Sequence, residues 1–316
     1  MTGSTENLAL WYRAFGRPAD VLALETGRLD APADGVVRIR MKAAPVNPSD
    51  LVPITGAYRH RLLPPRVGGY EGVGTVVAGD GAGDLAGRRV LALRGAGTWQ
   101  SYVDCDPRWV VPVPDDVDDA VAARAYINPL AARLMLMRWP AAGRRVLLTA
   151  AGSACANFLA QWAFDAGARE VAGVYRSPTH AASLSALGVV PIPLGAGDDV
   201  ARAARRADLV FEAVGGALAT RILAAMRPDA DFISYGLLSG EPFATGGAAR
   251  PQRFHLRDRL DSAGPAEWQG WFETLWPLLK RAALPRAHPF PVRAWRDALA
   301  LFDVPGRRST PLLVMA

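Results

Sequence analysis

Lysine is almost absent from this 316-residue chain: Lys42 and Lys280 stand alone among 36 basic residues, and all the others are arginine. Together with the abundance of alanine and glycine, this makes the net charge of +6 a compositional bias spread over the surface. A nucleic-acid-binding face needs a basic stripe interleaved with aromatics, and none occurs. Cysteine is nearly as scarce. Cys105 and Cys155 cannot build a four-thiolate zinc site, and buried free thiols are the expected state of both. The four histidines, His60, His180, His255 and His288, are scattered. No apolar run approaches the roughly 20 residues that a bilayer span requires. Met1 to Leu10 lacks the basic-then-apolar order of a secretory leader. These absences point to a cytoplasmic protein without membrane or nucleic-acid partners.

What is present divides in two. Residues 1–115 carry short β-type runs punctuated by glycine, including Val36 to Ala43, Gly72 to Ala78 and Arg88 to Leu93. After Pro112-Val113-Pro114-Asp115 a helical stretch runs over 118–137, with Pro129 kinking or restarting it. From Arg145 strands and helices alternate. Strands are expected at Val146–Ala150, Val171–Tyr175, Val189–Ile192, Asp208–Ala213 and Asp231–Tyr235, with a short sixth at Arg253 to Arg257. That alternation predicts parallel βαβ units with right-handed crossovers. A helix over 267–283 carries Trp268, Trp271, Phe272, Leu275, Trp276 and Leu279 on one face, the spacing of a core stripe. The tail adds a strand (His288 to Pro291), a helix (Val292 to Phe302) and a last strand (Pro311 to Met315), which is expected to return to the first domain.

The most informative stretch is 145–177: an apolar strand, a turn of small residues, an amphipathic helix and a second strand ending in Tyr175-Arg176-Ser177. This is the dinucleotide-binding half of a Rossmann fold. The second strand ends without the Asp or Glu that grips a ribose 2′-hydroxyl. A guanidinium and a hydroxyl there suit a 2′-phosphate, so NADPH is favoured over NADH. A solvent-facing Arg176 is the bland alternative.

Further segments stand in a telling order: Asn47-Pro48-Ser49-Asp50, Gly56-Ala57-Tyr58, Gly69-Tyr70-Glu71-Gly72-Val73-Gly74, Gly97-Thr98-Trp99 and Asn128-Pro129-Leu130-Ala131-Ala132. In this the chain resembles the zinc-independent medium-chain dehydrogenase/reductases, in the branch of quinone oxidoreductases and 2-enoyl thioester reductases. The resemblance implies an α/β protein in two parts. One is a GroES-like, β-rich catalytic domain (1–122 and 284–316). The other is a Rossmann domain with a doubly wound parallel sheet (123–283). It places the active site in the cleft and implies a homodimer.

The resemblance also assigns residues. Asn47 occupies the region where the alcohol dehydrogenases place their first zinc-ligand cysteine, so no metal is expected. Without a Lewis acid, hydrogen-bond donors must stabilise developing negative charge. Tyr58, Asn47 and Trp99 form the expected catalytic set: Tyr58 is the donor, Asn47 and Asp50 fix loop geometry and touch the nicotinamide side of the cleft, with a turn or cap the alternative for Asp50, and Trp99 walls the acyl pocket or packs between the domains. Asn128, Gly152, Ser153, Ala154, Cys155, Tyr175, Arg176, Ser177, Gly215, Tyr235 and Gly236 are expected to hold the cofactor. Relatives carry glycines where this chain has Ala154 and Ala156; if Ala154 must adopt positive φ, the methyl costs about 1 kcal/mol. Many relatives also carry a threonine where Ala131 stands. Arg59, His60 and Arg61 could attract the phosphates of a carrier arm or remain a solvated loop.

The reading is an NADPH-dependent reductase of an activated C=C bond in a small-molecule or carrier-bound unsaturated acyl substrate. Quinone reduction is the alternative. A binding or assembly subunit with reduced catalysis is the second alternative, favoured by Ala131, Ala154 and Ala156.

Overall fold

Alternation decides the first sheet. Along Val37–Pro45, Val37, Ile39 and Met41 are buried while Arg40 is exposed. Arg38 is buried as well and is satisfied by Asp104, its Nε and Nη2 each 2.7 Å from a carboxylate oxygen. The computed structural model describes residues 5–315, and it divides into two units. One comprises the chain up to Ile127 together with Gly264–Arg281 and the segment from Pro285 onward; the other comprises Asn128–Ala263 and Ala282–Leu284.

In the first unit a seven-stranded sheet is built around Val37–Pro45, which pairs antiparallel with Gly72–Ala78, Tyr102–Cys105 and the C-terminal strand Ser309–Val314. The tail therefore completes a sheet begun by the N-terminal segment. A second sheet of Leu22–Leu29, Thr5–Tyr12 and Arg66–Val67 packs with it around Leu10, Ile39, Ile54, Val90 and Trp99.

The helix Pro265–Arg281 was placed by sequence in the Rossmann domain, whose boundary was set at 283. It groups instead with the first unit. The physical reason is its tryptophan stripe. Trp268 is fully buried, donates its indole N–H to the Trp109 carbonyl at 3.0 Å and meets the Tyr126 ring edge-on at 5.5 Å. Gln269 donates to the Val110 carbonyl at 2.8 Å.

The second unit is a six-stranded parallel sheet. Its spatial order is Val190–Pro193, Glu170–Tyr175, Arg145–Leu148, Leu209–Glu212, Asp231–Ser234 and Pro251–Arg253. Numbered along the chain this is 3-2-1-4-5-6, the doubly wound order. The sixth strand lies two residues earlier than the sequence placed it. The predicted helix over 118–137 is two helices, Asp119–Ala122 and Ile127–Arg138. Pro129 falls in the first turn of the second, where its missing N–H has no intrahelical partner to lose.

Candidate functional site

In the second unit the strand order reverses beside Arg145–Leu148, whose neighbours are Glu170–Tyr175 and Leu209–Glu212. Ligands of open α/β sheets bind beyond the carboxyl ends of strands at such a point. The chain leaves Arg145–Leu148 through Thr149, Ala150, Ala151 and Gly152 and enters the 12-residue helix Ala154–Asp165. Ser153 is its N-cap, and its hydroxyl accepts the Ala156 N–H at 3.3 Å. The remaining N–H groups and the helix dipole make this end an anion cradle.

The feared strain at Ala154 is not there. Ala154 is the first helical residue, and the alanine with positive φ (46°) is Ala150. Gly152 is required on other grounds: a Cβ there would come 2.5 Å from the His180 ring. Cys155 is buried, and burial pushes its thiol up to about 12, so it is an inert packing group. Cys105 is likewise free and pushed up to about 12, chiefly by burial.

At the end of the neighbouring strand, Tyr175 is half-buried and Arg176 is exposed. Among the described residues Arg176 has neither an ion-pair nor a hydrogen-bond partner, whereas Ser177 shares a 3.0 Å hydrogen bond with Thr179. Beyond Leu209–Glu212, Gly215 (φ 79°) precedes the helix Gly216–Ala225. Gly236 lies against Ala213, whose carbonyl oxygen would sit 2.8 Å from any added Cβ. Tyr235 follows Asp231–Ser234 with its hydroxyl buried. Asn128, in the first turn of Ile127–Arg138, is the first residue of this unit.

Sequence reasoning passed over Glu212. It is fully buried, and its Oε1 accepts the Thr149 hydroxyl (3.2 Å) and the Val214 and Gly215 N–H groups (2.6 and 3.0 Å). Its only signal in the sequence was a carboxylate in an otherwise apolar strand.

In the first unit the functional segments meet around two buried carboxyls. Asp50 accepts the Asn47 N–H and the Tyr70 N–H, each at 2.7 Å. Glu71 accepts the Asn47 side-chain amide on one oxygen (2.7 Å) and the Tyr126 and Ile127 N–H groups on the other (2.9 and 3.1 Å). Asn47 is thus committed to Glu71, and it fixes loop geometry. Burial drives both carboxyls up, Asp50 to about 7 and Glu71 to about 8, against the hydrogen bonds that oppose the shift. Glu71 was visible in the sequence only as a member of the Gly69–Gly74 motif, and no role had been drawn from it.

Tyr58 is half-buried in the turn that follows Gly56 (φ 84°) and meets the His60 ring edge-on at 6.4 Å. Its carbonyl accepts the Leu62 N–H at 2.9 Å. Leu62 in turn lines a small cavity of about 20 Å³ together with Tyr12, Asp50, Arg66, Tyr70 and Gly95. Burial raises the Tyr12 hydroxyl, with Arg66 opposing.

Trp99 corrects the expectation of a pocket wall. It is fully buried in the core of the first unit and donates its indole N–H to the Pro45 carbonyl at 3.0 Å. The indole lies against Gly68 and leaves no room there for a Cβ, while Gly69 (φ 95°) is closed by the Thr98 hydroxyl as well as the indole. Its role is packing.

Comparison with known proteins agrees with both units. The family model for the alcohol dehydrogenase GroES-like domain matches residues 33–115. A mitochondrial enoyl-[acyl-carrier-protein] reductase of Xenopus tropicalis is 39% identical over 139 residues, 40% of this chain and 37% of that protein. The Bos taurus protein of the same name is 29% identical over 335 aligned positions, 97% of this chain and 88% of its own length. A crystal structure from Bacillus thuringiensis, provisionally named an NADPH:quinone reductase, is 32% identical. It superposes with a TM-score of 0.92 over 98% of this chain and 99% of that one. A GroES-like unit joined to a doubly wound nucleotide-binding unit defines a class of two-part oxidoreductases. The chain belongs to the medium-chain dehydrogenase/reductase superfamily.

Proposed function

We propose that this protein is an NADPH-dependent reductase of activated C=C bonds in enoyl thioesters or enones. The observation that carries the reading is the unpaired Arg176 beyond Glu170–Tyr175, beside the Ser153-capped helix of a 3-2-1-4-5-6 sheet. The site fits the cofactor. The Gly152–Ser153 turn and helix N-terminus suit a pyrophosphate, Arg176 and Ser177 suit a 2′-phosphate, and Gly215, Tyr235 and Gly236 suit close backbone approach. Asn128, Ala154, Cys155 and Tyr175 complete the proposed set.

When bound, NADPH supplies the hydride that adds to the β-carbon of the substrate. Tyr58, or a water it orients, delivers a proton to the α-carbon, and solvent returns that proton to the phenol. Asn47, Asp50 and Glu71 hold the loops that present Tyr58 and Tyr70. Arg66, in the lining of the first unit's small cavity, is suited to attract an anionic carrier arm.

The reaction we infer is zinc-independent. The Asn47 amide is tied to Glu71, and among the described residues no three His, Cys, Asp or Glu side chains converge as ligands. A homodimer is also proposed. Pro251–Arg253 and Val190–Pro193 are the two outermost strands of the sheet, and each offers an edge for pairing. Among the described residues no helix is long and apolar enough to cross a membrane, and the compartment we propose is the cytoplasm.

Quinone reduction is the second reading, favoured by the Bacillus thuringiensis likeness. NADPH oxidation against crotonyl thioesters and against quinones decides between the two. Turnover of the thioester supports enoyl reduction, and turnover of quinones alone replaces it. Saturating NADPH that leaves its own fluorescence unchanged would sink both readings.

A further inference from the structure

All three hydrogen bonds that the Glu212 carboxyl accepts fall on Oε1, from Thr149, Val214 and Gly215. Oε2 is buried and has no partner among the described residues. An ionised carboxylate buried this way would leave half its charge unsolvated. A neutral acid does not: its carbonyl oxygen takes the donors, and its hydroxyl carries the proton on the other side. The groups packed around it supply no compensating charge. Tyr235 from the next strand is uncharged, and its hydroxyl is also buried without a partner of normal geometry among the described residues. Cys155 and Ser153 from the helix after Arg145–Leu148 are the polar neighbours of that hydroxyl. Thr149 contributes a hydroxyl, and Glu241, whose carboxylate lies over Gly216, adds only negative charge. The His180 ring lies over Gly152. Burial pushes the Glu212 carboxyl upward, and the three hydrogen bonds on Oε1 oppose that shift without cancelling it.

We propose that Glu212 is a positioning residue held as a neutral acid, which shapes the Ala213–Gly216 turn without placing negative charge beneath the dinucleotide phosphates. Ionising it sets a buried anion against a polyanionic cofactor, so NADPH affinity falls as Glu212 loses its proton. This inference rests on the cofactor reading above.

Two measurements test it. In the ligand-free protein, carbon NMR of labelled glutamate side chains, wild type against Glu212→Gln, should assign a protonated carboxyl to Glu212 at pH 7. A carboxylate signal there overturns the proposal. In fluorescence titrations between pH 7 and pH 9.5, where the 2′-phosphate no longer titrates, wild-type NADPH affinity should fall by about tenfold per pH unit once Glu212 ionises. Glu212→Gln keeps the neutral shape and should hold its affinity within about threefold over that range. Equal slopes for the two proteins overturn the proposal. Wild-type protein that binds no NADPH at pH 7 refutes the cofactor reading instead, and the NMR result stands apart from it.

Discussion

In the proposed function Arg176 and Tyr58 each carry one separable part of the chemistry. Arg176 is exposed and has no ion-pair or hydrogen-bond partner among the described residues, so Arg176→Ala should fold normally. A charge-assisted hydrogen bond is worth about 1.5–3 kcal/mol, so the KM for NADPH should rise roughly 10- to 100-fold while that for NADH stays put. Steady-state kinetics with both cofactors checks this, and an unchanged NADPH value removes the assignment. Tyr58→Phe deletes only a hydroxyl. Loss of a positioned general acid costs about 100-fold or more, so kcat should fall by that factor with a smaller change in KM. Both residues stand out in the sequence as candidates because their surroundings are contiguous motifs. Glu71 and Glu212 were not, because what defines them is burial and partners that lie 55 and 63 residues away along the chain. Trp99 was misplaced for the same reason: a motif tryptophan reads alike in a pocket wall and in a core.

The turn from Arg145–Leu148 into its helix shows how local conformation decides whether a departure from a motif matters. The strain belongs to Ala150, in the left-handed region, and not to Ala154, which opens a helix. Ala150→Gly should therefore leave stability level or raise it by up to about 1 kcal/mol. Ala154→Gly should lower stability by up to about 1 kcal/mol and bring no gain in NADPH affinity. Urea denaturation and NADPH titration of both variants check the pair. The first five parallel strands were readable within a residue or two, since each is an apolar run between turn signals; the sixth, Pro251–Arg253, is not apolar and was placed too late. The helix Pro265–Arg281 was readable as a helix but not as a member of the first unit. Its periodicity says that one face is buried, and only Trp109 and Tyr126 say against what.

Stability of the whole molecule should carry the mark of the two carboxyls beneath Asn47. Both are raised in the folded state, Asp50 to about 7 and Glu71 to about 8, from the ordinary carboxyl range near pH 4. The unfolded chain sheds these protons first. Their contribution is complete below about pH 4 and is lost as pH rises through 7 and 8. Urea midpoints from pH 5 to 8.5 should fall more steeply for the wild type than for Glu71→Gln; parallel curves would refute this. The same first unit draws on both ends of the polypeptide, since Leu312 and Leu313 pair with Pro45 and Ala44. Asn128–Ala263 lies between them almost uninterrupted. On the ribosome the nucleotide-binding half is thus wholly translated while its companion still lacks a border strand. Chaperone demand should fall on the older, amino-terminal segment, which waits longest for its last partner to emerge.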